Sequence, residues 1–280
     1  MKNGILLINK PKGLTSRDVV NIVCKKLNTK KVGHTGTLDP LATGLLIICV
    51  NKATGLTELI TSEDKEYIAS VKLGIKTDTL DITGNVLEQN ENYCISFDEL
   101  NKTLMSFLGS YLQEVPLYSA IKIDGKRLYD YAREGKSVLL PKREVTINEI
   151  ELLELNNDSF TFRVNVSKGT YIRSLIRDIG NKMNILMTMT ELKRTKIDDY
   201  DIIDAKNIDN FDEHDIISPE NFFKFPRVYV DNDLEKKILN GVRIKNIYNS
   251  EIIMFFNKNN KLLAIYKNNE KNELCMYKLF

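Results

Sequence analysis

Hydrophobic and polar residues follow two different periods along this chain, and the period changes several times before residue 200. In SFTFRVNVS, residues 159–167, apolar and polar positions alternate strictly, which predicts a strand with one buried face. In TYIRSLIRDIGNKM, residues 170–183, apolar positions recur at helical spacing. The residues predicted to face inward from this helix are Ile172, Leu175, Ile176 and Ile179. A strand therefore runs into a helix at Gly169.

Similar patterns predict further elements on both sides of this pair. Short apolar runs that end in turn residues predict strands at GILLINK (4–10), LLIICV (45–50) and KEYIASVKLG (65–74). TSRDVVNIVCKKL predicts a helix with Ser16 as its N-cap. SFDELNKTLMSFLG predicts another, which opens with a capping box of Ser96 and Glu99. Strands and helices are thus mixed along the chain.

The last part of the chain has a different pattern. RVYV (227–230) and a short helix, LEKKILNG (234–241), precede three apolar runs that are separated by Asn-rich turns. The runs are IIMFF (252–256), LLAIY (262–266) and LCMYKLF (274–280). This pattern predicts a small β-rich module. Since a domain usually has about 150 residues, we divide the chain into two unequal domains, 1–215 and 216–280.

Composition and cysteine use narrow the class of protein. A hydrophobic content of 42% with mixed charge is that of a globular chain with a sizeable core. The N-terminal apolar run is too short for a signal peptide, and the longest later run, GLLIICV (44–50), has the length of a strand. The four cysteines are far apart in sequence, which argues against disulfides and a zinc knuckle. We expect a cytoplasmic protein with reduced thiols and no membrane contact.

The formal charge of +2 hides an uneven distribution of charge. Residues 1–60 hold nine lysines and arginines against three acids. Residues 198–220 hold nine acids and a single lysine, Lys206. A basic segment suits a polyanionic partner, although a charged run is also typical of an ordinary solvated surface.

Three familiar kinds of site are either ruled out or only weakly supported by the sequence. GKS at residues 135–137 lacks the upstream glycine of a phosphate loop, because Asp130 stands at that position. GHTG at residues 33–36 has the length of a KH-domain loop, but Pro40 argues against the second helix that such a loop requires. With two histidines in the whole chain, a His-rich metal site is impossible. We therefore expect no nucleotide cofactor and no metal.

GHTGTLDPLATG, residues 33–44, is the segment whose residue types restrict the backbone most. Pro40 biases Asp39 toward extended geometry, and the glycines permit close approach or a positive φ. The carboxylate of Asp39 is thus presented on a restricted loop. The residues alone leave two roles open for it: a reactive acid, or a side chain that caps the turn before LATG.

This segment closely resembles the catalytic motif of the TruB family of tRNA pseudouridine synthases. Four further segments resemble other motifs of that family and follow in the same order, so that the five together cover most of residues 1–196. They are GILLINKPKGLTSRDVV (4–20), KEYIASVKLGIKTDTLDITG (65–84), PLYSAIKIDGKRLYDYAREG (116–135) and SKGTYIRSLIRDIG (167–180). The residues after 216 match far less distinctively.

The resemblance implies both an architecture and a reaction. The fold would be α+β, with a mixed, mostly antiparallel central sheet, an active cleft across its middle, and a small C-terminal domain similar to a PUA module. The reaction would be a cofactor-free isomerisation that detaches a uracil, rotates it and rejoins it through carbon. Asp39 would be the catalytic nucleophile, and Arg173 would be the cation that favours its ionised form.

The resemblance also implies how the target base is bound. A stacked uracil is out of reach, so the enzyme would flip it into a pocket. The residues implied around the flipped base are His34, Tyr67, Tyr171 and Leu192. Tyr67 would stack on the base and help to remove the proton from C5, whereas His34 would occupy space beside the displaced base. Without the resemblance, these tyrosines and this leucine would be interpreted as core residues.

The implied substrate is the T arm of tRNA, with the uridine conventionally numbered 55 as the target. RNA loops are bound through splayed bases and through Lys and Arg contacts to phosphates. The candidates for phosphate contacts are Lys12, Lys30, Lys31, Lys122, Lys126 and Arg127. The tRNA is the expected partner, and we expect a monomer that requires no protein partner, metal or membrane.

Three other functions stay open at this point. A base-releasing glycosidase needs two carboxylates, and Asp78 or Asp81 could supply the second one. A non-catalytic RNA-binding or folding factor would use Asp39 as a turn residue only. A guide-dependent pseudouridine synthase would share the catalytic loop but would need partner proteins.

Overall fold

The computed structural model describes residues 2–61 and 63–280. The first part of the chain forms a large sheet and two short hairpins. Their strands are β1 (Gly4–Lys10), β2 (Val32–His34), β3 (Thr43–Val50), β4 (Lys65–Leu73), β5 (Ile75–Thr77), β6 (Val86–Gln89), β7 (Gly109–Glu114), β8 (Lys122–Ile123), β9 (Lys126–Arg127), β10 (Lys142–Leu155), β11 (Ser159–Val166), β12 (Met187–Ile197), β13 (Tyr200–Asp201) and β14 (Lys206–Asn207). The helices between them are α1 (Ser16–Lys26), α2 (Thr57–Thr61), α3 (Phe97–Met105), α4 (Leu128–Arg133) and α5 (Ile172–Met183).

The ten strands of the large sheet follow the order β14-β1-β3-β12-β4-β11-β10-β7, with β2 beside β3 and β13 beside β12. The pairs β1/β14 and β3/β12 are parallel. The other pairs, from β1/β3 to β10/β7, are antiparallel. The expected α+β fold with a mixed, mostly antiparallel sheet is confirmed.

Within the sheet, the contact between strands β3 and β12 is short. It consists of two residue pairs, Thr43–Lys193 and Gly44–Arg194. Gly44 has a φ of +104°, and a Cβ atom at this position would lie 2.2 Å from the carbonyl oxygen of Arg194. Glycine is required here both for the backbone conformation and for the close approach of the two strands. The start of β3 therefore lies directly against β12.

The core lies on both faces of the sheet. Because side chains alternate along a strand, Leu6 and Ile8 of β1 pack into the larger cluster, which contains the apolar faces of α1, α3 and α5. Ile5 and Leu7 point to the opposite face. The predicted burial of Ile172, Leu175, Ile176 and Ile179 on α5 is confirmed.

The predicted N-cap of the first helix is wrong by one residue. Thr15 is the cap, since its hydroxyl accepts the amide hydrogen of Asp18 and the Asp18 carboxylate accepts that of Thr15. Ser16 is the first residue of α1 and is buried. Its hydroxyl accepts from Leu38 N at 2.8 Å and donates to Leu38 O at 3.1 Å. The serine thus fastens the loop next to Asp39.

The C-terminal residues form a second sheet, in the order β15-β17-β18-β19-β16. Its strands are β15 (Arg227–Tyr229), β16 (Ile244–Lys245), β17 (Ile252–Phe256), β18 (Leu262–Asn268) and β19 (Glu273–Leu279), and α6 (Pro219–Phe222) and α7 (Asn232–Leu239) accompany them. The predicted β-rich module is confirmed. The boundary after residue 215 stays a prediction, since Ile217 still exchanges two backbone hydrogen bonds of 2.8 Å with Ile5 of the first sheet.

Two expectations concern features that the chain should lack, namely contact with a membrane and a bound metal. Among the helices of the described residues, none combines the length and the apolar character needed to span a membrane. Within residues 2–61 and 63–280, no three His, Cys, Asp or Glu side chains are grouped so that they could hold a metal ion.

Candidate active site

The loop that carries Asp39 is held on both sides of this residue. Leu38 is fixed by the two hydrogen bonds to Ser16, and the carbonyl of Pro40 accepts from Gly13 N at 2.8 Å. A further bond of 3.0 Å from Ala42 N to Asp39 O closes the turn before β3. The side chain of Asp39 is 36% exposed. The carboxylate is thus accessible while its backbone is fixed.

A buried arginine anchors the rest of this loop. Arg194 on β12 is 1% exposed, and its Nε donates to Leu45 O at 2.7 Å while Nη2 donates to Gly36 O at 3.1 Å. These carbonyls lie before and after Asp39 in sequence. Sequence reasoning missed Arg194. The sequence did contain a signal for it. Side chains alternate between the two faces of a strand, so Arg194 lies on the same face of β12 as the apolar Leu192.

Arg173 contacts Asp39 directly. It is the second residue of α5, it is buried, and its Nη2 lies 2.9 Å from Asp39 Oδ2. The guanidinium also donates from Nη1 to Thr79 O at 2.9 Å and from Nη2 to Tyr118 O at 3.1 Å. Two carbonyls from segments that are distant in sequence therefore fix the orientation of the planar guanidinium. This is possible because its two terminal nitrogens donate in fixed directions.

A second carboxylate lies on the other side of the same guanidinium. Asp81 Oδ2 is 3.9 Å from Arg173 Nη1. Its other oxygen accepts from Thr79 Oγ1 at 3.0 Å and from both the amide and the hydroxyl of Thr83. Asp78 instead accepts from Asn85 N at 2.8 Å. Arg173 is thus held between Asp39 and Asp81, and sequence reasoning did not connect Asp81 with it.

A cavity of about 330 Å³ opens beside the ion pair of Asp39 and Arg173. The structure brings most of the residues expected in the pocket to its wall. Those used below are Asp39, Tyr67, Tyr129, Tyr171, Arg173 and Leu192. The arrangement is an acid, a fixed guanidinium, four tyrosines and several apolar side chains around a space of the size of a small ligand site.

His34 has a different environment. It ends β2, opposite Ile48 of β3, and its Nδ1 is buried without a hydrogen-bond partner in the described part of the chain. Burial, and then the charges of Arg194 and Arg17, lower the pKa of His34 below its ordinary value. The imidazole is therefore neutral at physiological pH. On the described residues, it is not part of the cavity wall.

A second cavity, of about 620 Å³, adjoins the first and shares Tyr67 and Tyr171 with it. Its wall is rich in cations: Lys65, Arg143, Lys168 and Arg194. Burial, followed by the charge of Arg194, lowers the pKa of Lys65 to about 8. The cleft thus continues from the acid at Asp39 into a basic region.

The six lysines and arginines expected to contact RNA lie in two regions. Lys122, Lys126 and Arg127 belong to the β8–β9 hairpin, and Arg127 donates to the hydroxyl of Tyr129 on the cavity wall. Lys12 precedes Gly13, which bonds the loop of Asp39.

Lys30 and Lys31 lie elsewhere. Lys31 O accepts from Asn51 N at 2.7 Å, beyond the end of β3, whereas the loop of Asp39 leads into the start of that strand. The length of β3, eight residues or roughly 25 Å, therefore separates Lys30 and Lys31 from the cavity mouth.

Lys10 is buried rather than part of a basic surface. It is 0% exposed, pairs with Gly44 across β1 and β3, and donates to the carbonyls of Pro11 and Leu14. Burial is the main reason why the pKa of Lys10 falls to about 8, although Asp39 acts in the opposite direction. The basic character of residues 1–60 is therefore partly internal.

Comparison with known proteins assigns a family. The sequence profile described as TruB family pseudouridylate synthase (N terminal domain) matches residues 24–172, more than half of the chain. The chain is similar to tRNA pseudouridine synthase B of Mesoplasma florum, with 40% identity over 275 residues that cover 97% of this chain and 96% of that protein. It is also similar to tRNA pseudouridine synthase B of Clostridium tetani, with 44% identity over 249 residues that cover 87% and 86%.

Solved structures support the fold. A structure described as an H/ACA RNP bound to a substrate RNA containing 2'-deoxyuridine superposes with a TM-score of 0.70 and 23% identity, over 99% of this chain and 84% of that one. At this identity the likeness concerns the fold alone. With the profile match and with relatives that are about 40% identical over nearly the whole chain, the protein belongs to the TruB family of pseudouridylate synthases.

Proposed function

We propose that this chain is a stand-alone tRNA pseudouridine synthase that isomerises uridine 55 in the T arm, with Asp39 as the catalytic nucleophile. The observation that carries the proposal is the contact of 2.9 Å between Asp39 Oδ2 and Arg173 Nη2 at the wall of the cavity. The relatives that cover nearly the whole chain are named for tRNA, which supports this class of substrate. The position within the tRNA follows from the motif resemblance.

The reaction is balanced without a cofactor. The bond between ribose C1′ and uracil N1 breaks, a bond between C1′ and C5 forms, C5 loses a proton and N1 gains one. Asp39 attacks C1′, or it attacks C6 of the uracil, or it assists through a glycal. Each route needs a carboxylate in a fixed position, which the contact with Arg173 and the anchored loop provide.

Flipping moves the uracil from the RNA stack into the cavity beside Asp39, at a cost of a few kcal/mol. Tyr67, Tyr171 and Leu192 line that space and offset the cost by stacking and apolar contact. We assign Tyr67 to stacking and to removal of the C5 proton. A cavity near the lower end of the usual range of ~300–1,000 Å³ suits one nucleotide and not a duplex.

The RNA around the target base contacts the mouth of the cavity. Lys122, Lys126 and Arg127 stand on the hairpin that leads to Tyr129, so cations there reach the phosphates next to a base in the cavity. The basic second cavity extends the same path. We expect the protein to act in the cytoplasm as a monomer without a required protein partner.

A base-releasing glycosidase is less well supported. Its second carboxylate would have to face the glycosidic bond beside Asp39. Of the two acids considered, Asp81 is the one that approaches Arg173, but it is buried, it lies behind Arg173, and one of its oxygens already accepts three hydrogen bonds from Thr79 and Thr83. An acid in this position supports the arginine and not the leaving group.

The test is a product analysis with one matched control. Wild type, Asp39→Asn and Asp204→Asn are incubated with an unmodified tRNA transcript, and pseudouridine, uridine and free uracil are quantified after digestion. Asp204 is an exposed acid of the 198–220 segment. We expect pseudouridine at position 55 from wild type and Asp204→Asn, none from Asp39→Asn, and equal tRNA binding by all three.

Each alternative has its own outcome. Free uracil would point to the glycosidase. Binding without any product from wild type would leave an RNA-binding factor. Activity that requires an added guide RNA or protein would contradict the stand-alone enzyme.

A further inference from the structure

Gln113 connects strand β7 with the helix that carries Arg173. Its side chain is completely buried, and its Oε1 accepts from Tyr171 N at 2.8 Å. Tyr171 is the N-cap residue of α5, and its own side chain does not cap the helix. The first amide groups of a helix lack partners within the helix. Gln113 supplies one from a strand 58 residues away in sequence.

The orientation of this amide is determined by its partners. The amide of Tyr171 is a donor, so the oxygen of Gln113 must face it. The nitrogen then faces the hydroxyl of Tyr111, to which it donates at 2.7 Å. That hydroxyl lies 3.5 Å from Asp178 Oδ2 and donates toward it. Burial raises the pKa of Tyr111, which keeps the hydroxyl protonated and able to donate.

The two residues at this end of α5 are both part of the candidate site. Tyr171 and Arg173 line the cavity, and Arg173 contacts Asp39. A helix whose first amide loses a buried partner either frays by a turn or shifts toward another acceptor. Either change moves the guanidinium relative to the carboxylate, and a displacement of about 1 Å can lower a rate by about 100-fold.

We propose that Gln113 is a positioning residue, whose amide caps α5 from β7 and holds Tyr171 and Arg173 against the cavity, with Tyr111 fixing the amide. The proposal rests on the proposed function, in which these two residues act on the flipped uridine. Gln113 itself does not touch the substrate. It acts through the backbone of Tyr171.

The experiment compares three variants. Gln113→Met keeps the side-chain length but removes both hydrogen bonds. Gln113→Glu keeps an acceptor for Tyr171 N and can accept from Tyr111, whose proton then turns away from Asp178. Thr188→Val is the matched control, because Thr188 is buried and the change removes its hydrogen bond of 2.8 Å, from Thr188 Oγ1 to Ile75 O, outside the candidate site.

For each variant, four quantities are measured: the single-turnover rate of pseudouridine formation, the Kd for tRNA, the Tm, and the exchange rate of the Tyr171 amide hydrogen. For Gln113→Met we expect a rate at least about tenfold lower, an unchanged Kd and faster exchange at Tyr171. Gln113→Glu should recover most of the rate. Thr188→Val should lose Tm but keep the rate and the exchange.

Two outcomes overturn the proposal. The first is a rate loss in Gln113→Met no larger than that in Thr188→Val at an equal loss of Tm. The second is unchanged exchange at Tyr171 in Gln113→Met. A wild type that forms no pseudouridine contradicts the proposed function instead, and the exchange at Tyr171 then still decides whether Gln113 holds the helix end.

Discussion

Two buried arginines organise the candidate site at the scale of single residues, and their partners differ. Arg173 lies between the carboxylates of Asp39 and Asp81, so its charge is compensated by ion pairs. Arg194 donates to the carbonyls of Gly36 and Leu45, so backbone dipoles satisfy it. Arg173 thus contacts the carboxylate of Asp39, whereas Arg194 fixes the loop that carries this residue.

Replacing Arg173 by lysine should separate charge from geometry. One ammonium group cannot contact Asp39 and also reach the carbonyls of Thr79 and Tyr118 in the geometry of the planar fork. We expect Arg173→Lys to lower the single-turnover rate by roughly 100-fold, about 2.7 kcal/mol of transition-state stabilisation, with tRNA affinity unchanged. Rapid-quench kinetics and filter binding measure the two quantities. A variant with full rate would show that charge alone suffices.

The buried Lys10 should make stability depend on pH. Its pKa in the folded protein is about 8, below the ordinary value of 10.5, so between these values the unfolded chain binds a proton that the folded chain has released. Stability therefore rises with pH in this window. We expect wild type to gain about 1–2 kcal/mol from pH 7.5 to 9.5 relative to Lys10→Met, as measured by urea unfolding. Parallel pH profiles for both proteins would contradict this prediction.

At the scale of elements, the site depends on how the strands β3 and β12 meet. Their contact is two residue pairs long, and Gly44 is in it. Gly44→Ala would place a methyl group 2.2 Å from Arg194 O in a backbone conformation that disfavours side chains. We expect a loss of at least about 2–3 kcal/mol in unfolding free energy and a reduced rate. Gly33→Ala is the control, since a Cβ atom there meets open space.

The β8–β9 hairpin should affect binding and not chemistry. Lys122, Lys126 and Arg127 lie on the hairpin that leads to Tyr129 at the cavity wall, whereas Lys30 and Lys31 lie at the far end of β3. We expect the double variant Lys122→Gln with Arg127→Gln to bind tRNA more weakly. The slope of log Kd against log salt concentration should fall by about two, one for each lost phosphate contact. The rate at saturating enzyme should stay unchanged. Lys30→Gln with Lys31→Gln is the matched pair, and an equal effect there would show that the hairpin contributes no more to binding than the far end of β3.

At the scale of the whole molecule, the two sheets share a hydrophobic cluster. Ile5, Leu7 and Ile47 of the first sheet pack in it with Met254 and Phe256 of the second. We expect Phe256→Ala to cost about 3–5 kcal/mol and the molecule to unfold in a single transition. Denaturant unfolding followed by far-UV circular dichroism and by amide exchange in β1 measures both. Two separate transitions, with β1 unaffected, would show that the sheets are independent.

Predictions from the sequence were accurate where an element depends on residues that are close in sequence, and less accurate where it depends on distant ones. Strand β11 and helix α5 were predicted with the correct inward faces, because burial of one face imposes a period of 2 or 3.6 on the sequence itself. The N-cap of α1 was misplaced by one residue, since Thr15 and Ser16 carry the same hydroxyl. Their roles differ only because Leu38 folds back onto Ser16.

The sequence by itself determined the local elements and, through the motif of residues 33–44, the candidate acid. A restricted loop is a property of neighbouring residue types, so Asp39 and its glycines and proline are visible without a fold. Arg173 was identified through the resemblance of residues 167–180 to a motif of the family.

Only the tertiary structure decided which groups surround that acid. Asp81, Arg194 and Gln113 reach the site through contacts between residues 58 to 158 positions apart. The sheet order that creates these contacts depends on which apolar faces pack together, and no local pattern encodes it. The buried Lys10 and the distant Lys30 and Lys31 illustrate the same limit. The identity of a charged residue does not show whether it lies on the surface or in the core, or at which end of a strand it lies.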